Sequence, residues 1–320
     1  MNYADSHRIA LLNPYRSVVK VFKCDENAIR VGIKNVSSIP NTLMHKLENT
    51  GFALHTIDKK SQLAGRAVDT ELINPITGHY MSGSSSGTAI NVFAGINDLG
   101  IGNDGGGSVL APAICVNILG FISPLIERDR VQIKKVNTDG MTAGNSLGFM
   151  ARERRILYKA IEDATGLKPA QECGTILSDR TYPGIESKVI EVEDALAPRV
   201  VLTEYLKGIL QRCDVFIVSE GPIDLCGFGD SLFGHFDERT KKIQRDAGKG
   251  FVRVCNTAGA TALAIPNGEL GCATLLICES REEKVCRLLK AAECFEEIHD
   301  ELIERYFLDA DSYFNEGYQI

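Results

Sequence analysis

The chain has 320 residues, 44% of them hydrophobic, which is enough apolar material for a sizeable core and one or two domains. A formal net charge of −7 argues against a nucleic-acid or anionic-membrane surface. The amino-terminal MNYADSHRIALLNPYRS lacks an apolar core of signal-peptide length, and the longest apolar run, Val109 to Ile122, is broken by Pro112 and Asn117. The expectation is a cytoplasmic protein without nucleic-acid or membrane partners.

The predicted elements alternate along the chain. Val18–Phe22 and Ala28–Lys34 read as strands around an Asp25-Glu26-Asn27 turn. Thr42–Gly51 reads as a helix stopped by Gly51, and Phe52–Ile57 as a strand. After a Ser-rich turn, Ile90, Phe93 and Ala94 recur at helical spacing, and a β-like run passes through Leu99 and Ile101 into a Gly-rich turn. Further on, Ile156–Ala164 continues as a helix and Val189–Gln211 contains another. Cys213–Ser219 has a buried-strand pattern, and Glu283–Glu296 is an amphipathic helix. This alternation, with no internal repeat or linker, implies one α/β domain over 1–320, with 1–16 and the acidic tail 308–320 peripheral.

The ten cysteines form no C-x-x-C pair, and buried free thiols in a reducing compartment are expected. Cys278, Cys286 and Cys294 recur every eight residues, which drifts off one helix face. The six histidines show no ligand spacing, and no Rossmann glycine fingerprint follows a strand. No metal and no cofactor are predicted.

The chemistry gathers between Ser82 and Pro112. Gly83-Ser84-Ser85-Ser86-Gly87-Thr88 forms one small-residue turn and Asp104-Gly105-Gly106-Gly107-Ser108 a second. Three glycines before a serine free the backbone so that N–H groups can converge on one point, facing a serine hydroxyl toward an oxyanion pocket. These turns, with Pro112, Cys115 and Gly120-Phe121, resemble the amidase signature family, whose two functional serines would here be Ser84 and Ser108, 24 residues apart. Val31-Gly32-Ile33-Lys34-Asn35 is similar to the family's Val-x-Ile-Lys-Asp motif, with Asn35 in place of the aspartate. Asn145–Arg152 is similar to a later family run ending in Gly-Pro-Met-Ala-Arg.

The resemblance implies an amidase-signature α/β/α sandwich with a mixed central sheet. It also implies a Ser–cis-Ser–Lys triad of Ser108, Ser84 and Lys34 that cleaves a small-molecule amide through an acyl-enzyme. The N–H groups of Gly105, Gly106, Gly107 and Ser108 would form the oxyanion hole. Ser85 would support the site by hydrogen bonding, and Asp104 would hold the glycine loop. The chain is short for the family, with fewer residues than usual between Lys34 and Ser84. That leaves open a homodimer or a partner subunit, and a cleft lined by the variable segments 60–80, 125–145 and 221–240. Leu110 stands where the family has an arginine, so poor use of substrates with a carboxylate near the scissile bond is expected.

Other readings share these residues. Gly83–Gly87 also fits the G-x-S-x-G elbow of α/β-hydrolases with Ser85 as nucleophile, but Ile76–Tyr80 is a poor strand to precede it. A phosphate loop lacks Gly-Lys-Ser/Thr after its glycines. The remaining alternatives are a non-catalytic amidase-fold binding or scaffold protein and an amidotransferase subunit.

Overall fold

The computed structural model describes residues 1–61, 66–130, 134–136, 139–192, 194–310 and 314. In chain order, α1 (Tyr3–Leu12) leads to β1 (Val18–Val21), β2 (Ile29–Lys34), α2 (Asn41–Glu48) and β3 (Phe52–Asp58). A ribbon of β4 (Val68–Ile73) and β5 (Tyr80–Ser82) precedes α3 (Ser86–Phe93), β6 (Leu99–Asp104), α4 (Leu110–Cys115) and β7 (Leu119–Ser123). A second ribbon, β8 (Lys135–Val136) and β9 (Thr142–Ala143), leads to β10 (Ser146–Ala151) and α5 (Arg154–Thr165). The second half contributes β11 (Ile176–Ser178), β12 (Lys188–Val189), α6 (Arg199–Leu210), β13 (Val215–Glu220) and α7 (Glu238–Arg245). It ends with β14 (Ala260–Pro266), β15 (Ala273–Glu279), α8 (Glu282–Ala292) and α9 (Glu301–Phe307).

Among the described residues, eleven strands form one mixed sheet in the order β1-β3-β2-β6-β10-β7-β14-β15-β13-β11-β12. Strand residues alternate between its faces. Ile122, Met150, Phe216 and Val218 pack with α3, α4 and α6 on one side. Phe121, Phe149, Val215 and Ile217 pack with α2, α5 and α8 on the other. The result is the α/β/α sandwich with a mixed sheet that the sequence led us to expect. Strands covered on both faces are apolar throughout, and each fully buried Leu or Phe contributes roughly 1.5–3 kcal/mol of transfer free energy.

Boundaries shift where a cap or turn intervenes. Helix α2 ends at Glu48, because Thr50 and Gly51 are taken up by a turn. The 189–211 segment holds only α6, entered through Pro198, with Val189 in the edge strand β12. The first sixteen residues are not wholly peripheral: Ile9 and Ala10 of α1 are buried in the core. Of the tail, 311–313 and 315–320 lie outside the described residues, while Ala310 is buried against the same core. All ten cysteines are free; five, including Cys115 and Cys255, are buried, whereas Cys226 and Cys294 are exposed.

Two parallel neighbours position the centre. β2 pairs with β6 through Val31–Leu99, Gly32–Gly100 and Ile33–Ile101, so the carboxyl ends of both strands, Lys34 and Asp104, reach the same sheet edge. At the opposite end, Arg30 donates through Nε and Nη2 to both oxygens of Asp98 at 2.8 and 2.6 Å, which fixes this register. Helix α3 returns over the sheet into β6, which puts its amino terminus, and hence Ser84 and Ser85, back at that edge. It lies close enough that a Cβ on Gly102 would fall 2.8 Å from Ser85 Oγ, and one on Gly100 2.6 Å from Thr88 Cγ2. Glycine in β6 is what allows this approach.

Candidate active site

Lys34 ends β2 with its side chain buried. Its ammonium faces three acceptors: Ser84 Oγ at 2.6 Å, Asn103 Oδ1 at 2.7 Å and the Asn103 carbonyl at 3.4 Å. Asn103 is held in turn by donating from Nδ2 to Ser38 Oγ at 3.0 Å. Burial pulls the lysine pKa down to about 7, with Asp104 opposing that shift and Lys60 adding to it. A neutral lysine is therefore well populated near neutral pH.

The two turns meet through their backbones. Ser85 N–H donates to the Ser108 carbonyl at 3.2 Å. Ser84 and Ser108 are both half-buried, and their hydroxyls are not hydrogen-bonded to each other. The peptide bonds on both sides of Ser84 are trans, so the cis geometry implied for it is not adopted; among the described residues the cis bond is Gly221–Pro222.

Asp104 organises the glycine loop. Its buried carboxylate accepts from Gly107 N–H at 2.7 Å and Val109 N–H at 2.6 Å, with Leu110 N–H farther away at 3.4 Å. Desolvation raises its pKa, and these N–H donors oppose the rise. Gly107 takes φ = +93°, a conformation that side-chain-bearing residues rarely adopt. Because Gly107 N–H is spent on Asp104, it is withdrawn from the expected oxyanion donors. The N–H groups of Gly105, Gly106 and Ser108 have no hydrogen-bond acceptor among the described residues. Asn256 pins the loop from outside, donating from Nδ2 to the carbonyls of Gly105 at 3.2 Å and Gly144 at 2.7 Å while accepting from Ser146.

Ser85 is fully buried, and its hydroxyl has no partner among the described residues. A substrate cannot reach it, which removes the hydrolase-elbow reading with Ser85 as nucleophile; it supports the site through its backbone alone. Leu110 is also fully buried, inside the apolar layer. Asp224 is a further anchor that sequence reasoning missed. It accepts from Ser82 N and Oγ, both at 2.6 Å, and from Gly229 N at 3.0 Å, tying the Ser-rich turn to the 221–229 segment.

A pocket of about 500 Å³ opens beside Gly106. Its walls come from Asp139, residues 196–199 and a run from Gly229 to Arg253. The expected segments 125–145 and 221–240 thus contribute, while the described residues of 60–80 do not. Residues 62–65, 131–133, 137 and 138 of those segments lie outside the described residues.

Comparison with known proteins sets this arrangement in context. A family model described as Amidase matches residues 70–144, which covers both serine turns and excludes Lys34. The A-type chain of glutamyl-tRNA(Gln) amidotransferase from Thermotoga maritima superposes with a TM-score of 0.63 at 15% identity, over 92% of each chain. Native peptide amidase from Stenotrophomonas maltophilia gives 0.59 at 12% identity, over 92% of this chain and 93% of that one. A 6-aminohexanoate cyclic dimer hydrolase gives 0.63 at 13% identity, over 91% and 92%. At such identities the likeness is one of fold. No curated protein sequence matches the chain.

Proposed function

We propose that this chain hydrolyses carboxylic amides, a reading supported by the Amidase model over residues 70–144, with Ser108 as nucleophile, Ser84 as proton relay and Lys34 as terminal base. The observation that carries this is the set of partners around Lys34 Nζ. A protonated lysine has three donors and meets three acceptors here. Two of them, both oxygens of Asn103, can only accept. The third, the Ser84 hydroxyl, can also donate. When Lys34 is neutral, it keeps its bonds to Asn103 and turns its lone pair to Ser84, so its proton has one exit.

The steps follow from that polarity. An amide carbonyl seated against the free N–H groups of Gly105, Gly106 and Ser108 is attacked by Ser108 Oγ. The Ser108 proton passes to Ser84 as the proton of Ser84 passes to Lys34. The oxyanion is held by N–H groups fixed before substrate arrives, and each such donor contributes about 3 kcal/mol to barrier lowering. Collapse of the tetrahedral intermediate expels the amine, which takes the proton back along the same path. Water repeats the sequence on the acyl-enzyme and releases the acid. In the resting structure the serine hydroxyls are not yet bonded to each other, a contact that tightens on binding substrate.

The test is covalent capture. Incubation with a fluorophosphonate, followed by intact mass and peptide mapping, should place a single adduct on Ser108. An adduct on Ser84 would reverse the roles of the two serines. Absence of any adduct would favour the binding or scaffold alternative.

A further inference from the structure

The pocket beside Gly106 is more cationic than the acidic chain around it. Its rim residues Lys241, Lys242 and Arg245 are neutralised by Glu238, Asp246 and Asp194 at 2.7–2.8 Å. Three deeper cations are less satisfied. Arg199 pairs through Nη1 with Asp139 at 2.8 Å, but its buried Nε has no partner among the described residues. Its Nη2 lies 3.6 Å from where a Cβ on Gly106 would stand, so the guanidinium borders the glycine loop itself. Arg253 donates to the carbonyls of Gly250, Ala195 and Ala197, and Lys249 to that of Gly229. Neither makes an ion pair with a carboxylate among the described residues. Burial lowers the Lys249 pKa, and the charge of Asp224, itself engaged by Ser82 and Gly229, opposes that shift and favours the ammonium. Helix α6 adds to the field: it begins at Arg199, and its cap Pro198 offers no side-chain acceptor.

Carbonyl contacts orient a cation without cancelling its charge. Buried guanidinium groups stay protonated and favour carboxylates, which match their fork. We propose that this pocket binds an anionic group of the substrate, so that the enzyme acts on short amides carrying a carboxylate, with Arg199 as the principal contact and Arg253 and Lys249 reinforcing it. This rests on the hydrolase reading above and names its substrate class. It also reverses the expectation drawn from Leu110: that position is sealed in the core, and the cationic contact comes from α6 and the 249–253 segment instead.

The experiment compares monoamides of short linear dicarboxylic acids with neutral alkanamides and ω-amino amides of equal length. The carboxylates should be preferred over the neutral amides by about 10- to 100-fold in kcat/KM, the range of a charge-assisted hydrogen bond, with the amino amides worst. Arg199→Gln and, separately, Lys249→Met should shrink that ratio toward unity. Neutral amides turned over as well as the carboxylates would overturn the inference and leave the hydrolase intact. If no amide is turned over, calorimetric titration of the wild-type protein with glutaramate and with pentanamide decides the pocket alone. Tighter binding of glutaramate sustains it, and equal binding overturns it.

Discussion

Ser108→Ala should lose amide turnover by about 10⁴- to 10⁶-fold, the range seen when a serine nucleophile acting as part of a unit is removed. The fold should be unaffected. Ser108 contributes its carbonyl to Ser85 N–H, and the loop around it is shaped by Asp104, Gly107 and Asn256, none of which needs the hydroxyl. The thermal midpoint should therefore match that of the wild-type protein while fluorophosphonate labelling disappears. A loss of less than about 100-fold would mean that another group attacks the amide, because without the nucleophile the oxyanion hole and binding together leave only about 10³- to 10⁴-fold catalysis over water.

The second large effect concerns Lys34. Its pKa, lowered to about 7 chiefly by burial, lies well below that of a free lysine. The neutral, proton-accepting form dominates above that value and is lost as pH falls through it. The pH profile of kcat/KM should have an acid limb set by one group with its midpoint near pH 7, and a plateau on the alkaline side. Lys34→Ala should slow acylation by about 10²- to 10⁴-fold. Lys34→Arg should be nearly as damaging, since a guanidinium remains protonated. Asn103→Leu removes the Oδ1 acceptor of the charged form and should move the acid limb to lower pH. Esters should suffer less than amides, because an alkoxide leaves without the proton that a departing amine requires. Near-native amide turnover in Lys34→Arg, or an acid limb unchanged in Lys34→Ala, would exclude Lys34 as the base.

Much of the frame was legible in the sequence because local pattern decides it. β2, β3, β13 and β15 lie within a residue or two of their apolar runs. Lys34, Ser84, Ser108 and Asp104 stood out because a strand-end lysine and two small-residue turns at fixed spacing are local signals. Residues whose roles depend on long-range partners were not legible. Asn103 sits in a strand and reads as an ordinary polar residue until its oxygens meet a lysine 69 positions away. Asn256 grips Gly105 across 151 positions, and Asp224 holds Ser82 across 142. Arg199 opens a helix whose sequence says nothing of Gly106. Helix α3 shows the converse: its eight residues are all buried, so the spacing of Ile90, Phe93 and Ala94 marks only part of a segment that has no solvent face.

The grip of Asp104 on its loop bears on how the protein breathes. Within five residues, two kinds of amide hydrogen sit side by side. Those of Gly107 and Val109 point at a buried carboxylate and can trade for deuterium only when that part of the structure opens. Those of Gly105, Gly106 and Ser108 have no such tether, so solvent can exchange them from the closed form. Deuterium uptake resolved by amide should separate the two sets by orders of magnitude in rate, and saturation with a non-reacting carboxamide should slow only the faster set. The rigidity of the loop and its readiness for an incoming oxygen are thus written on alternate hydrogens of one short stretch of chain, and no lid need close to create either.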